Sequence, residues 1–498
     1  MIVRLLEFLC RRFLDILGTQ MSFASPLFLW FFMPATLAVY WLLPPRLRNA
    51  VVAAASLVFY TWGAGPYTLL LLAAVAVNYA AGLALGSDRW RDRPEARRGV
   101  LLAAVGCDVA VLAVWKYAGF AGRQVDALAE ALGLGHTPVV DLALPIGISF
   151  FTFHHLSYVV DVYRGSTPAQ RSPVRFVTYI AMFPQLVAGP IVRYHEMAGQ
   201  LGDVRRDRFG DLASGFPRFA LGLAKKVVVA DSLAPIADAA FAQAGGQINT
   251  PTAWLGASAY ALQIYFDFSG YSDMAVGLGT MLGFRLPENF DRPYTAYSVT
   301  DFWRRWHMSL SRWFRDYVYI PLGGNRCGAP RTYRNLLVVF TLCGLWHGAD
   351  WTFLVWGLYH GALLVAERLL GWDRPPAAAW SVALRRGATL LLVLVGWVIF
   401  RAESMPEAWN MLRAMFTWCP GELDEFVAYA ANRQRVVVFT VALAVVVAPA
   451  GPALGSLIEE GRGRAARAAR AAVTWVAAPC AAVLVAAGTF SPFLYYQF

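Results

Sequence analysis

His347 is the residue of this sequence best suited to acid–base chemistry. It stands in the stretch Cys343-Gly-Leu-Trp-His-Gly-Ala-Asp350, where one apolar run ends and the next begins. Gly344 and Gly348 permit the close approach of a backbone or a ligand. A histidine ordinarily titrates near about pH 6.5, so it can serve as the general base on a hydroxyl. The alternative is that this stretch packs helices together and that the histidine is incidental.

His307 is the second candidate, in a stretch dense in arginine, tryptophan and tyrosine (residues 286–326). From Thr300 onwards the sequence predicts one helix, because apolar side chains recur at helical spacing and Asp301 stands near the N-terminus. Those side chains are Trp303, Trp306, Leu310, Trp313, Phe314 and Tyr317. His307 falls on their apolar side, so it is directed into the protein. The alternative is a buried histidine hydrogen-bonded to a carbonyl.

Other common catalytic motifs are missing from the sequence. It has no G-x-S-x-G nucleophile elbow, no H-E-x-x-H and no glycine-rich phosphate loop. No two cysteines form a C-x-x-C pair, so neither a metal site nor a disulfide framework is indicated. Asp267 and Asp273 stand in an apolar stretch. Capping of a broken helix is favoured for them over pairing with arginine or lining a polar tunnel.

The elements that position these residues must lie in a membrane. Of 498 residues, 58% are hydrophobic and only 15% are charged, and the mean hydropathy is +0.47. This composition predicts an all-α polytopic membrane protein with ten to twelve spans and excludes a disordered chain or a secreted disulfide scaffold. The net charge of +11 is attributed to cytoplasmic loops rather than to nucleic-acid binding.

Charge and glycine patterns give an expected topology. Segments 44–49 and 87–99 are rich in arginine and are expected on the cytoplasmic side, together with 164–175. The run 252–283 is expected to break around Ser269-Gly270, and shorter runs are expected to form re-entrant helices. Residues 1–20 fit either an interfacial amphipathic helix or an untranslated extension before a start at Met21. Residues 21–498 are expected to form a single domain.

With these motifs in view, the chain resembles the membrane-bound O-acyltransferase family. Within it, the chain is most similar to the bacterial branch that contains the membrane subunit of alginate O-acetyltransferase. The stretches that carry the resemblance are residues 21–49, 144–153, 161–165, 183–193, 265–326, 344–348 and 495–498. The long central motif makes the resemblance specific, and it covers about residues 21–498.

The resemblance implies a ring of tilted and re-entrant helices around a central tunnel. The principal catalytic histidine of the family corresponds to His347, and a second motif position corresponds to His307. The donor would be acetyl-CoA arriving from the cytoplasm, with no resident cofactor. His347 would act as general base, and His307 would orient the donor or stabilise charge on the thioester oxygen. Arg304, Arg305 and Arg315 are candidates for holding the anionic coenzyme, with lipid-headgroup contact as an equal alternative.

The resemblance also implies a setting: the inner membrane of a bacterium, a periplasmic acetyl-carrying partner protein, and an exopolysaccharide acceptor such as alginate. Alternatives within the family are D-alanyl transfer to teichoic acid, O-acetylation of peptidoglycan, and acetylation of cellulose or another exopolysaccharide. Two alternatives are not enzymes: a polytopic transporter and an inactive assembly subunit. The lack of repeated halves disfavours the transporter.

Overall fold

The computed structural model describes residues 21–90, 92–137, 139, 142–202, 207–376, 378–448, 453–488 and 493–494. Every regular element within these ranges is a helix, which confirms the predicted all-α class. The interpretations given to residues 1–20 and to residues 495–498 lie outside the described residues.

The helices follow one another through short connections. The first group is α1 (Met33–Leu42), α2 (Arg48–Ala64), α3 (Thr68–Leu85), α4 (Pro94–Ala131), α5 (Ile148–Arg164), α6 (Pro173–Ala181), α7 (Phe183–Leu186) and α8 (Tyr194–Gly202). The central group is α9 (Arg208–Ala224), α10 (Asp231–Ala242), α11 (Thr250–Met281), α12 (Val299–Arg305), α13 (Met308–Phe314), α14 (Ala329–His347) and α15 (Trp351–Leu370). The last group is α16 (Ala379–Arg401), α17 (Met405–Phe416), α18 (Glu425–Ala430), α19 (Arg433–Val447), α20 (Leu454–Glu460), α21 (Arg464–Ala472) and α22 (Ala478–Ala486). Four short π-helical segments directly precede or follow helices of this set: Phe28–Phe32, Lys225–Ala230, Arg315–Tyr319 and Val473–Ala477.

Five segments of the described residues are long and apolar enough to cross a membrane. They are Pro45–Leu85, Pro94–Ala131, Trp351–Leu370, Ala379–Arg401 and Arg464–Ala486. This number is smaller than the ten to twelve runs counted in the sequence, because several apolar runs fold as short helices. The run 176–192, for example, is divided between α6, α7 and an irregular segment.

α11 is the centre of the fold and is buried along nearly its whole length. The expected break at Ser269-Gly270 is wrong, since α11 is continuous from Thr250 to Met281. The glycines serve close packing instead. A Cβ atom on Gly270 would come within 2.8 Å of the carbonyl oxygen of Gly222 in α9, and one on Gly277 within 2.7 Å of that of Gly215. Two small residues on each helix therefore let the α9 and α11 backbones touch.

The two aspartates of α11 bind cations rather than cap helix ends, which corrects the favoured interpretation. Asp267 lies 2.7 Å from Nζ of Lys226, and Asp273 lies 2.6 Å from both Arg218 and Lys225. All three cations come from α9 or the π-helical segment that follows it. A carboxylate buried in a membrane protein requires such a partner, and an unbroken helix offers no free end to cap.

Hydrogen bonds tie the basic segments to neighbouring parts of the chain. Asn49 donates to the carbonyl of Leu201 at 2.9 Å, and Arg97 donates to that of Tyr163 at 2.9 Å. Arg164 donates to the carbonyl of Asp316 at 3.2 Å. That these segments share one side, and that this side is cytoplasmic, stays a prediction.

α14 and α15 form the close pair that carries His347. A Cβ atom on Gly344 would clash with the carbonyl oxygen of Phe353 and lie 3.1 Å from Cα of Gly357. A Cβ atom on Gly357 would in turn clash with the carbonyl oxygen of Phe340. The two glycines therefore set the distance between α14 and α15, and with it the position of the last turn of α14.

We predict that Gly344→Ala destabilises the protein, because the added methyl group must push α15 away from α14. Overpacking of this kind costs about 1–3 kcal/mol. The matched control is Gly106→Ala in α4, where an added Cβ meets no atom within 4 Å. The control is expected to keep or slightly raise stability, since alanine favours helix over glycine. Thermal unfolding midpoints of the two purified variants in one detergent make the comparison, and equal midpoints would show that this contact does not limit packing.

Candidate active site

His347 is the last residue of α14 and is buried, with 6% of its surface exposed. Aromatic rings surround its imidazole on several sides. The ring centroids of Trp346, Trp356 and Phe400 lie 4.8, 5.2 and 5.2 Å from it. The helix ends here because Gly348 adopts an extended conformation, and Asp350 then caps the start of α15 by accepting a hydrogen bond from the Thr352 N–H. The turn between the two helices therefore holds His347 inside an aromatic pocket.

The carbonyl groups at the end of α14 are bound by two consecutive residues of α4. Lys116 donates through Nζ to the carbonyl oxygens of Trp346 and His347, the latter at 3.1 Å. Tyr117 donates to the carbonyl oxygen of Leu345 at 2.6 Å. The last carbonyls of a helix have no partner within the helix and carry partial negative charge, so a cation stabilises this end.

Sequence reasoning did not identify Lys116 as part of this site, although a signal was present. The chain has only three lysines, at 116, 225 and 226, against 40 arginines. Lys116 is the one basic residue of the apolar run 100–122, in which Asp108 is the other charged residue. An isolated charge within an apolar run marks a buried partner elsewhere in the chain. Which partner it has is decided by the tertiary contact between α4 and α14.

His307 connects two short helices rather than lying within one. The predicted single helix from Thr300 is interrupted, since α12 ends at Arg305 and α13 begins at Met308. The backbone of His307 has φ 45°, which lies in the left-handed region that residues other than glycine rarely adopt. The loop before α12 stabilises this break: the Asn289 carbonyl accepts from the Met308 N–H at 3.0 Å, and its side chain accepts from the Ser309 N–H at 3.2 Å.

The tertiary structure brings the two predicted histidines together. His307 is 1% exposed, and its ring lies 4.7 Å from Phe268 of α11 and 6.2 Å from Trp346. Trp346 contacts His347 as well, so His307 and His347 both adjoin one indole ring. Forty residues of sequence separate them, and the approach of α14 to the α12–α13 break closes that gap.

A cavity of about 260 Å³ lies between the α12–α13 segment, α14 and α15. Arg304, Arg368 and Asp373 are its charged lining residues, and Cys343 lines it from α14. Cys343 precedes His347 by four residues, which places it one helical turn away on the same face of α14. The cavity thus approaches the aromatic pocket of His347 along the surface of α14.

The three predicted coenzyme-binding arginines have different surroundings. Arg304 is exposed and lines the cavity. Arg305 binds Asp301 at 3.0 Å and is not among the described lining residues. Arg315 binds Asp316 at 2.7 Å, likewise away from the cavity lining. Arg368, which the sequence analysis did not single out, lies with Arg304 instead.

Asp316 is the centre of an ionic group that holds the π-helical segment after α13. It pairs with Arg315 and with Arg193, which also binds Glu196 at 2.5 Å. Burial alone would raise the pKa of the Asp316 carboxyl. The hydrogen bond and charge of Arg315, with the charge of Arg193, outweigh burial and lower this pKa below its ordinary value. The carboxylate therefore stays ionised near neutral pH and ties this segment to the start of α8.

Three other histidines, of which His360 and His155 are buried and His195 is exposed, have polar partners or neighbours of their own. His360 accepts a hydrogen bond from the indole N–H of Trp303 at 3.3 Å and is 1% exposed. His195 Nδ1 lies 2.9 Å from Asp161, which also accepts from the Tyr317 hydroxyl at 2.8 Å. His155 lies 3.6 Å from Asp108. These contacts favour packing and orientation roles for the three residues.

Comparison with known proteins identifies the family of the chain. Residues 148–372 match the model of the membrane-bound O-acyltransferase family, and this range contains His307, His347 and the described cavity lining apart from Asp373. A probable alginate O-acetylase from Azotobacter vinelandii is 47% identical over 411 residues, covering 81% of this chain and 80% of that protein. A peptidoglycan O-acetyltransferase from Helicobacter pylori is 34% identical over 432 residues, covering 79% of each chain. A teichoic acid D-alanyltransferase from Bacillus subtilis is 29% identical over 292 residues, covering 54% of this chain and 71% of that protein.

These relatives and the apolar helices establish a multi-pass membrane protein and an O-acyltransferase, which sets aside the transporter alternative. The chain is similar to O-acetylases over most of its length, so its activity belongs to O-acetylation. The chain belongs to the membrane-bound O-acyltransferase family.

Proposed function

We propose that this protein transfers an acetyl group from acetyl-CoA to a hydroxyl group, with His347 as the general base. The observation that supports this best is the course of the cavity along α14. It runs from the cationic side chains of Arg304 and Arg368 to Cys343, one turn before His347. A phosphate-rich coenzyme with a thin acyl thioester arm matches a cavity lined by two arginines and by apolar side chains of α14.

The donor arrives from the cytoplasmic side in this proposal. Arg304 and Arg368 have no carboxylate partner among the described residues, so their charges are free to bind coenzyme phosphates. Arg305 and Arg315 already bind carboxylates, which favours Arg304 as the coenzyme contact among the three arginines predicted from sequence. An acetyl donor is favoured over a D-alanyl donor because the O-acetylase relatives match more of this chain at higher identity.

The transfer itself requires one proton acceptor. The acceptor hydroxyl oxygen attacks the thioester carbonyl carbon while His347 takes the hydroxyl proton. Collapse of the tetrahedral intermediate breaks the carbon–sulfur bond, and the coenzyme thiolate leaves with a proton returned by His347. His307 orients the donor beside Trp346, which both imidazoles contact.

The acceptor is an exopolysaccharide such as alginate, reached through a periplasmic acetyl-carrying partner, and the protein acts in the bacterial inner membrane. The likeness to alginate O-acetylases supports this assignment. O-acetylation of peptidoglycan is the second candidate, supported by the 34% identity to the Helicobacter pylori enzyme over a similar share of the chain.

We predict that His347→Ala abolishes acetylation, because no other described residue of the pocket replaces the lost base. The acetyl content of extracellular polysaccharide, measured by NMR, is compared in a deletion strain complemented with wild type or variant. Acetyl groups are expected to vanish on deletion, return with wild type and stay absent with the variant at equal membrane levels. Full acetylation by a folded His347→Ala protein would refute the assignment.

The matched control is His360→Asn, which removes a buried histidine from the neighbouring helix. The asparagine side-chain oxygen can still accept the Trp303 N–H bond that His360 Nδ1 accepts in the structure. We expect this variant to retain most of the activity. If acetyl content is unchanged even in the deletion strain, the acceptor is another envelope polymer, and peptidoglycan is analysed next.

The backbone of His307 permits a test of its imidazole. Both His307→Ala and His307→Gly remove the imidazole. Alanine leaves the left-handed backbone conformation at position 307 strained, whereas glycine adopts it without strain. We predict that the glycine variant is the more stable by about 1 kcal/mol, yet that both variants lose at least 90% of the transfer rate. Thermal midpoints and initial rates are measured side by side. Recovery of activity in the glycine variant would mean that His307 serves only the chain break.

The coenzyme contacts are tested by Arg304→Ala and Arg368→Ala. Each removes a charge-assisted contact worth about 1–2 kcal/mol, so KM for acetyl-CoA should rise about five- to thirty-fold while kcat changes little. Arg315→Ala is the control, because this arginine binds Asp316 away from the cavity. An equal rise in KM for all three variants would point to a general electrostatic effect rather than to this cavity.

A further inference from the structure

Seven tryptophans are buried within the described residues, and their indole N–H groups differ in how they are bonded. In four buried tryptophans the N–H donates to a protein acceptor at 3.1–3.3 Å. These are Trp41 to the Met281 carbonyl, Trp303 to His360, Trp313 to the Phe153 carbonyl and Trp397 to the Tyr294 hydroxyl. Satisfying buried donors is the rule in folded proteins, because a lost hydrogen bond to water must be replaced.

Trp346 and Trp356 do not follow this rule. Their side chains are 5% and 1% exposed, and neither indole N–H has an acceptor within the part of the chain that the structure describes. A buried donor without an acceptor is costly, and it persists where the fold holds it for a ligand. The two residues are the only tryptophans of the described chain in this state.

Both residues flank the proposed base. The Trp346 and Trp356 rings lie 4.8 and 5.2 Å from the His347 ring, and Trp346 also lies 6.2 Å from His307. Packing fixes both indoles: Trp346 stacks on Phe153 at 5.2 Å with an interplanar angle of 9°, and Trp356 stacks on Trp397 at 6.3 Å. Both indole rings are therefore held in fixed positions next to the proposed base.

We propose that the indole N–H groups of Trp346 and Trp356 bind the carbonyl oxygen of the acyl group and stabilise its negative charge during transfer. This inference rests on the proposed function. As the acceptor oxygen bonds to the carbonyl carbon, the carbonyl π electron pair moves to oxygen, and the two N–H groups donate to that oxyanion. When the carbon–sulfur bond breaks, the pair returns to re-form the carbonyl. Fixed donors in a pocket away from water are well suited to this role.

The first test removes each N–H while keeping an aromatic ring. Trp346→Phe and Trp356→Phe are expected to lower kcat about 10²–10³-fold, the usual effect of losing one oxyanion donor, with KM for acetyl-CoA nearly unchanged. Incorporation of 3-benzothienylalanine at position 346, which replaces the N–H by sulfur in a ring of the same shape, should give the same loss. Trp41→Phe is the control, because its buried N–H donates to the Met281 carbonyl and its ring is not among the described contacts of Trp346, His347 or Trp356. A kcat near wild type for the benzothienyl variant would overturn the role of Trp346.

The second test observes the bond without turnover. Infrared difference spectra of ¹³C-acetyl-CoA bound to inactive His347→Ala protein report the carbonyl stretch. We expect a shift to lower wavenumber relative to free acetyl-CoA, and loss of part of that shift when Trp346→Phe or Trp356→Phe is added. A shift that persists in both double variants would refute this inference while leaving the proposed function intact. Failure of wild-type protein to bind acetyl-CoA at all would instead refute the proposed function.

Discussion

The C-terminal end of α14 is the constraint on which the rest of the site depends. A helix that ends inside a membrane protein leaves carbonyl groups that neither water nor lipid can satisfy. Lys116 and Tyr117 bind those carbonyls from α4, and the contact of Gly344 with Gly357 sets the neighbouring helix at its closest distance. Because the end of α14 is held from two sides, His347 and the preceding tryptophan have fixed positions.

Buried ion pairs supply a second constraint. Asp267 and Asp273 of α11 bind Lys226, Lys225 and Arg218 from the neighbouring segment. Charges of this kind are expensive to bury, and removing one partner is more expensive still. The pairs therefore fix the rotation of α11 about its axis. Phe268 lies between the two aspartates in sequence, so the same rotation directs its ring against His307.

By their names, the relatives act on three different acceptors: alginate, peptidoglycan and teichoic acid. Features that all of them share with this chain therefore serve acyl transfer rather than recognition of one acceptor. The family match at residues 148–372 contains both histidines and the two tryptophans that flank His347. Lys116 lies before that range, in α4, and reaches the site only through a long-range contact. The helix that supports the base thus comes from outside the matched region.

The sequence by itself determined the composition-driven properties: a helical membrane protein, its basic loop segments, and the two histidines in apolar surroundings. These follow from local pattern, because hydropathy and periodicity are properties of neighbouring residues. Only the tertiary structure decided that Gly270 packs two helices instead of breaking one, and that His307 connects α12 to α13. It also decided that Lys116 binds the end of α14 and that two tryptophans beside His347 have buried indole N–H groups without acceptors among the described residues. Such features depend on which distant segments meet, and the energies of burial and hydrogen bonding that select those contacts cannot be evaluated from one segment alone.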